Sequence, residues 1–166
     1  MISNQEIVED LAAHFGENVL EFEEPNGLLT FTTYPSALID VMTYLRDNDR
    51  LRFKFLTDVT AVHYPDSEGK EFCSVYHMHS FENGIRLRIK VFVSKEKPEV
   101  PTATGIFAAA NWMEREAYDF YGVIYTGHPN LKRILNMEDM DYHPLRKEYP
   151  LEDATREDKI DALFGR

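Results

Sequence analysis

Three carboxylates, Glu114, Glu116 and Asp119, crowd the stretch "WMEREAYDFYG", and His128 follows shortly after it. Carboxyl and imidazole groups do general acid–base chemistry, because burial can move a carboxyl pKa toward neutrality. Helical spacing divides these acids. Glu114 and Glu116, two apart, point to different faces, whereas Glu116 and Asp119, three apart, share one. A turn after Gly122 would bring His128 toward that face, so a small soluble acid–base enzyme using Glu116, Asp119 and His128 is one reading. The same spacing has a second use. Arg115 and Asp119 are four apart and are expected to pair, giving a salt-bridged helix whose ends anchor the loop that follows.

Other chemistries find less support. His77 and His79 project from one face of a strand, with His63 and His143 elsewhere, but two imidazoles fall short of the four ligands of a structural zinc. Gly105, Gly122 and Gly127 fit neither dinucleotide nor phosphate-loop spacing, and Gly127-His128-Pro129 reads as a sharp turn. The basic pairs are more informative. Lys132 and Arg133 precede Ile134-Leu135, and Arg146 and Lys147 follow Leu145, each pair beside a His-Pro step at His128 or His143. A rigid turn, an apolar plug and cations able to make charge-assisted hydrogen bonds suit attachment to a partner or to this chain's own carboxylates.

The elements that would carry these residues are legible in outline. Ser3 and Glu6 form a capping-box pattern ahead of Ile7, Val8, Leu11 and Phe15, with Gly16 as a stop. "NVLEFEE" and "GLLTFTTY" read as two strands around a Pro25–Gly27 turn, and Leu38, Val41, Met42 and Leu45 mark a second helix. "LRFKFLTDVTAVHY" alternates with Leu51, Phe53 and Phe55 on one face, then shifts phase near Leu56, where a bulge is expected. "EFCSVYHMHSF" and "IRLRIKVFVS" make a hairpin through Asn83-Gly84. Its second strand turns Ile85, Leu87, Ile89, Val91 and Val93 one way and Arg86, Arg88 and Lys90 the other. Asn111 and Glu114 repeat the capping-box spacing, Met113, Ala117, Phe120 and Tyr121 supply an apolar side, and Gly122 suits a C-cap.

The expected fold is α+β: helices on a mostly antiparallel sheet, then the motif helix and an extended C-terminal arm. Residues 1–122 form the compact domain, and 123–166 form an irregular arm with too little self-burial to stand alone. Composition agrees with a globular chain, 43% hydrophobic and 28% charged over 166 residues. Eighteen Lys and Arg against 29 Asp and Glu leave a net charge of -11, which opposes general nucleic-acid binding. A single cysteine, Cys73, can close no internal disulfide and points to a reducing compartment. The start lacks a signal-peptide pattern, and no apolar run approaches the roughly 20 residues of a membrane span.

With these residues in place, the chain resembles the 30-kDa subunit family of respiratory complex I, which in bacteria is the NADH-quinone oxidoreductase. Glu114-Arg115-Glu116, Asp119, Phe120-Tyr121 and Gly122 match its signature in order, and His128, Lys132, Ile134 and Leu135 continue it. "GHPNLKRIL" and "HPLRKEYP" resemble its paired His-Pro elements, while "FLTDVTAVHYP", Tyr76 to Ser80 and Ala110-Asn111-Trp112 extend the match over roughly residues 30 to 151. Lys132 stands where the family commonly has arginine, and Tyr142 where glycine often precedes the second His-Pro.

The resemblance implies a cofactor-free, non-catalytic subunit of a hetero-oligomer. It would be packed against the 49-kDa subunit and neighbouring iron–sulfur subunits, on the cytoplasmic side of the bacterial inner membrane. The assembly passes electrons from NADH to quinone and moves ions. Glu114, Arg115, Glu116, Asp119, Gly122, Gly127, His128, Lys132, Arg133, His143, Arg146 and Lys147 are then expected to be interface or structural residues. The homologous alternative is the equivalent subunit of a membrane-bound hydrogenase or ferredoxin-linked complex.

Overall fold

The computed structural model describes residues 2–150. The N-terminal capping box forms as its residues dictate. Ser3 N donates to Glu6 Oε2 at 2.8 Å, Glu6 N donates to Ser3 Oγ at 3.3 Å, and helix α1 runs Asn4–Phe15. Ile7 and Leu11 are fully buried, while Val8 and Phe15 pack at the edge of the core. Each such aliphatic side chain contributes roughly 1.5–3 kcal/mol.

Strands β1 (Val19–Glu23) and β2 (Leu29–Thr33) pair antiparallel across a short 3-10 turn at Pro25–Gly27. Helix α2 follows at Leu38–Asp47, with Leu38, Val41, Met42 and Leu45 inward. Next come β3 (Phe55–His63), β4 (Phe72–Ser80) and β5 (Ile85–Val93), joined in antiparallel pairs. The five strands lie in the order β1-β2-β5-β4-β3, and only β2 with β5 is parallel. The expected α+β, mostly antiparallel architecture is therefore the one adopted.

The phase shift near Leu56 is a register break between Leu56 and Asp58. A second irregularity precedes the strand: Leu51 and Phe53 are fully buried around Arg52 at φ 51°, so Phe55, 45% exposed at the start of β3, does not continue their face as simple alternation had grouped them. In β5, Leu87, Ile89, Val91 and Val93 face the core and Arg86, Arg88 and Lys90 project from the opposite face. Cys73 is buried in β4, and burial pushes its thiol up to about 12, which leaves it unreactive.

Beyond the sheet, β6 (Glu99–Pro101) and β7 (Ile124–Thr126) pair in parallel, connected through helix α3 (Ala110–Tyr121). A parallel pair needs such a crossover, and this one holds the acidic helix beside β3. Val123 and Tyr125 are buried in the same core as Phe31, Phe53, Phe72 and Tyr76. The regular structure thus continues to Thr126, and residues 127–150 follow as turns and extended segments across the end of α3. The remainder of the expected arm, 151–166, lies outside the described residues. No helix among the described residues is long and apolar enough to cross a membrane.

Candidate functional site

Helix α3 buries charge rather than an apolar stripe. Glu114 and Asp119 have no exposed surface and Arg115 is nearly buried, while Phe120, Met113 and Tyr121 are only half-buried. The expected Asn111 capping box does not form. The helix begins at Ala110 behind Ala109, with no side-chain cap, so Asn111 is already inside it. Glu114 is turned instead toward the loop after β6, where Thr102 Oγ1 donates to it at 2.5 Å and Ala103 N at 2.7 Å. Burial raises its pKa to about 7 against the opposing pull of those two donors.

The expected Arg115–Asp119 pair does not form either, because a closer cation and a row of amides claim Asp119. Arg133 Nη1 donates to Asp119 Oδ1 at 2.7 Å. Ile134 N, Leu135 N and Asn136 N converge on Oδ2 at 3.0, 2.8 and 2.9 Å, and Asn136 Nδ2 reaches Oδ1 at 3.1 Å. Burial works against the ionised carboxylate, yet the amides of Asn136, Leu135 and Ile134 and the Arg133 guanidinium outweigh it. They hold Asp119 well below the usual carboxylate range. Arg115 reaches the same turn from the other side, donating to the carbonyls of Lys132 at 3.1 Å and Arg133 at 3.0 Å. Its guanidinium also lies 5.3 Å from the ring centroid of Trp112.

The arm satisfies the end of α3 as well. The last turn of a helix leaves its carbonyls without intrahelical donors. Here Tyr118 O accepts from Gly122 N, Asp119 O from Arg133 and from His143 Nδ1, Phe120 O from Leu145 N, and Tyr121 O from Arg146 Nε at 2.7 Å. Arg133 and Arg146 also bring positive charge to the negative end of the helix dipole. Gly122 closes the helix at φ 78°, and a Cβ there would meet Arg146 Nη2 and come within 2.7 Å of the His143 ring. Arg133 Nη2 closes the loop on itself through Met140 O and Tyr142 O. Farther along, Lys147 N donates to His63 Nδ1 at 3.0 Å, and Arg146 lies over the Phe72 ring.

The candidate acid–base trio is dispersed. Glu116 is exposed, Asp119 is occupied by the arm, and His128 contacts Asn111 O at 3.1 Å while accepting from Asn130 N. Gly127 takes φ 82° in the turn leading to His128. Lys132 and Lys147 contribute backbone groups to the contacts, and their side chains face solvent. His77 accepts from Arg88 Nε at 2.9 Å, and no His, Cys, Asp and Glu cluster among the described residues could hold a metal. Residue spacing did not reveal Thr102, Ala103, Asn136 or His63 as partners, since each contact bridges a long chain separation.

The model of the family described as respiratory-chain NADH dehydrogenase, 30 Kd subunit, matches residues 31–155, a span holding both α3 and the turn that Asp119 gathers. The chain belongs to this family. An NADH-quinone oxidoreductase subunit from Roseiflexus sp. is 42% identical over 150 residues, covering 90% of this chain and 86% of its own length. Its counterpart from Citrifermentans bemidjiense is 40% identical over 157 residues, covering 95% and 96%. A Nocardioides relative of the same name is 41% identical over 151 residues, but the match takes in 88% of this chain and only 60% of the longer relative. Among solved structures, a trypsin-resistant fragment of Nqo5 aligns with a TM-score of 0.65 at 28% identity, over 78% of this chain and all of the fragment. A membrane-bound sulfane sulfur reductase, an archaeal respiratory membrane complex, contains a chain sharing the fold with a TM-score of 0.74 at 24% identity, over 89% of this chain and 85% of that one.

Proposed function

We propose that this chain is a non-catalytic subunit of the peripheral arm of an NADH-quinone oxidoreductase. In this reading it supports electron transfer from NADH to quinone, coupled to ion translocation, without carrying a redox group. One observation carries the reading: Arg115 and Asp119 of α3 are committed to holding the arm, with Asp119 taking Arg133 and three consecutive backbone amides. A carboxylate so occupied is a fastener and a poor proton shuttle. The 40–42% identities to proteins named as NADH-quinone oxidoreductase subunits, over nearly the whole chain, support the same assembly. The sulfane sulfur reductase likeness extends to the fold alone.

Held in this way, the arm that follows β7 is the partner-contact segment. Its inner side is used on α3, while Leu135 and Met137 stand 64% and 68% exposed and Trp112 stands 63% exposed beside Arg115. Large apolar side chains left exposed on and beside the arm suit contact with a partner. The partner assigned here is the 49-kDa subunit, with iron–sulfur subunits nearby, on the cytoplasmic face of the inner membrane. Blue-native gels of Arg115→Ala and Asp119→Ala strains, with activity normalised to assembled complex, test the reading. Assembly is expected to fall while the specific activity of what remains is kept. Normal assembly with collapsed specific activity would overturn it, as would turnover by the isolated chain that disappears in Asp119→Ala.

A further inference from the structure

We infer that the outward face of the sheet, at the corner where β3, β4 and β5 meet the β4–β5 turn, docks an acidic protein segment that also carries an apolar side chain. Strand register builds the surface. Phe55 lies opposite His79 and His79 opposite Arg86, and in the adjoining row Asp58 lies opposite His77 and His77 opposite Arg88. Phe81 closes the corner, its ring centroid 5.2 Å from Phe55 and 4.3 Å from His79. Phe81 is 66% exposed, so this tilted ring pair stands largely in solvent although Phe53, two residues before Phe55, is fully buried. An aromatic pair left outside an adequate core marks a contact site.

Charge names the occupant. The chain has a net charge of -11, yet the carboxylates near this corner are already engaged. Glu23 holds Lys90 at 2.6 Å and Glu82 lies 3.7 and 3.9 Å from Arg52 and Lys54, while Asp58 lies 3.5 Å from His77, whose charged form burial and Arg88 disfavour. Arg86 and Arg88 therefore have no carboxylate partner among the described residues. Arg88 commits its Nε to His77 and keeps its terminal nitrogens. Two apart on one strand, these arginines project the same way about 6.8 Å apart, a spacing that fits alternate carboxylates of an extended segment. Guanidinium groups favour such bidentate contacts. Arg52, at the same corner, holds φ 51° and a buried Nε with no partner, the kind of local strain that functional surfaces retain. A short acidic segment needs only this local cation pair, whereas a nucleic acid would meet the whole negative field of the chain. None of these residues belongs to the arm, so the inference stands apart from the role proposed for it.

The test is photo-crosslinking in the assembled complex, with p-benzoylphenylalanine in place of Phe81 and mass spectrometry of the product. The expected product joins this chain to a different polypeptide, at a peptide with two or more Asp or Glu beside an aliphatic or aromatic residue. Arg86→Glu, at an exposed position, should cut the yield about tenfold, the equivalent of about 1.4 kcal/mol, and Arg86→Lys should keep most of it. Products confined to this chain, formed with a second copy, with lipid or with nucleic acid, or a yield indifferent to Arg86→Glu, would overturn the inference. Recording the assembled band in parallel separates the two readings: an intact band without the expected crosslink sinks this one and leaves the arm's role standing.

Discussion

At the scale of single residues, two buried carboxyls of α3 have opposite fates. Asp119 is ionised because five N–H donors surround its two oxygens. Its native pKa lies below its unfolded one, so its contribution is complete above the ordinary carboxylate range and fades as pH falls below about 4. Asp119→Asn leaves Arg133, itself only 9% exposed, without its counter-charge. The loss should be about 3–5 kcal/mol, read from urea denaturation at neutral pH. Glu114 has no cation among its described contacts, and its pKa rises from 4.5 to about 7. The sign is reversed: the native state holds the proton more tightly, so stability falls as pH rises from about 4.5 to 7. The shift corresponds to roughly 3 kcal/mol. Glu114→Gln should flatten that slope, and denaturation midpoints across pH 5 to 8 check it; an unchanged slope would assign the pH dependence elsewhere.

At the scale of elements, α3 and the arm complete each other. The helix supplies carbonyls and a carboxylate without local partners, and residues 133–146 supply the donors. At Gly122 the arm's Arg146 and His143 side chains fill the space a Cβ would need. Gly122→Ala would have to hold an alanine at φ 78° and displace Arg146 and His143 from the helix end. A cost of about 2–4 kcal/mol is expected from backbone strain and the lost contacts. Hydrogen exchange should locate the damage, with the amides of Leu145 and Arg146 losing protection while those of β4 and β5 keep theirs. Uniform loss across the sheet would contradict this division.

For the whole molecule, the sheet and its helices form a platform, and the arm is laid over one end of it. With the exposed apolar residues of the arm meeting a partner, Leu135→Gln and Met137→Gln, which add no charge beside Asp119, should weaken assembly at least tenfold while leaving the isolated chain's thermal midpoint within about 2 °C. Exposed substitutions away from special features usually cost less than about 0.5 kcal/mol. Gel quantification of assembled complex together with calorimetry of the free chain checks both halves. A lowered midpoint would place these side chains in the fold instead of the interface.

Much of this was readable from local pattern. The Ser3 cap, the Asn83-Gly84 hairpin, the alternation of β5 and the glycine stop of α3 each depend on neighbouring residues, and each forms as its spacing implies. The partners of the buried charges were not readable, because spacing along one helix sees only its own turns. It suggested Asp119 with Arg115, and a capping role for Asn111 with Glu114. Folding instead carried Arg133 to Asp119 and Thr102 to Glu114 across long loops. Sequence determined which elements form and that α3 is unusually charged. Tertiary structure decided what those charges do, since a buried carboxylate takes whichever donors chain closure delivers to it, and here it delivered the arm.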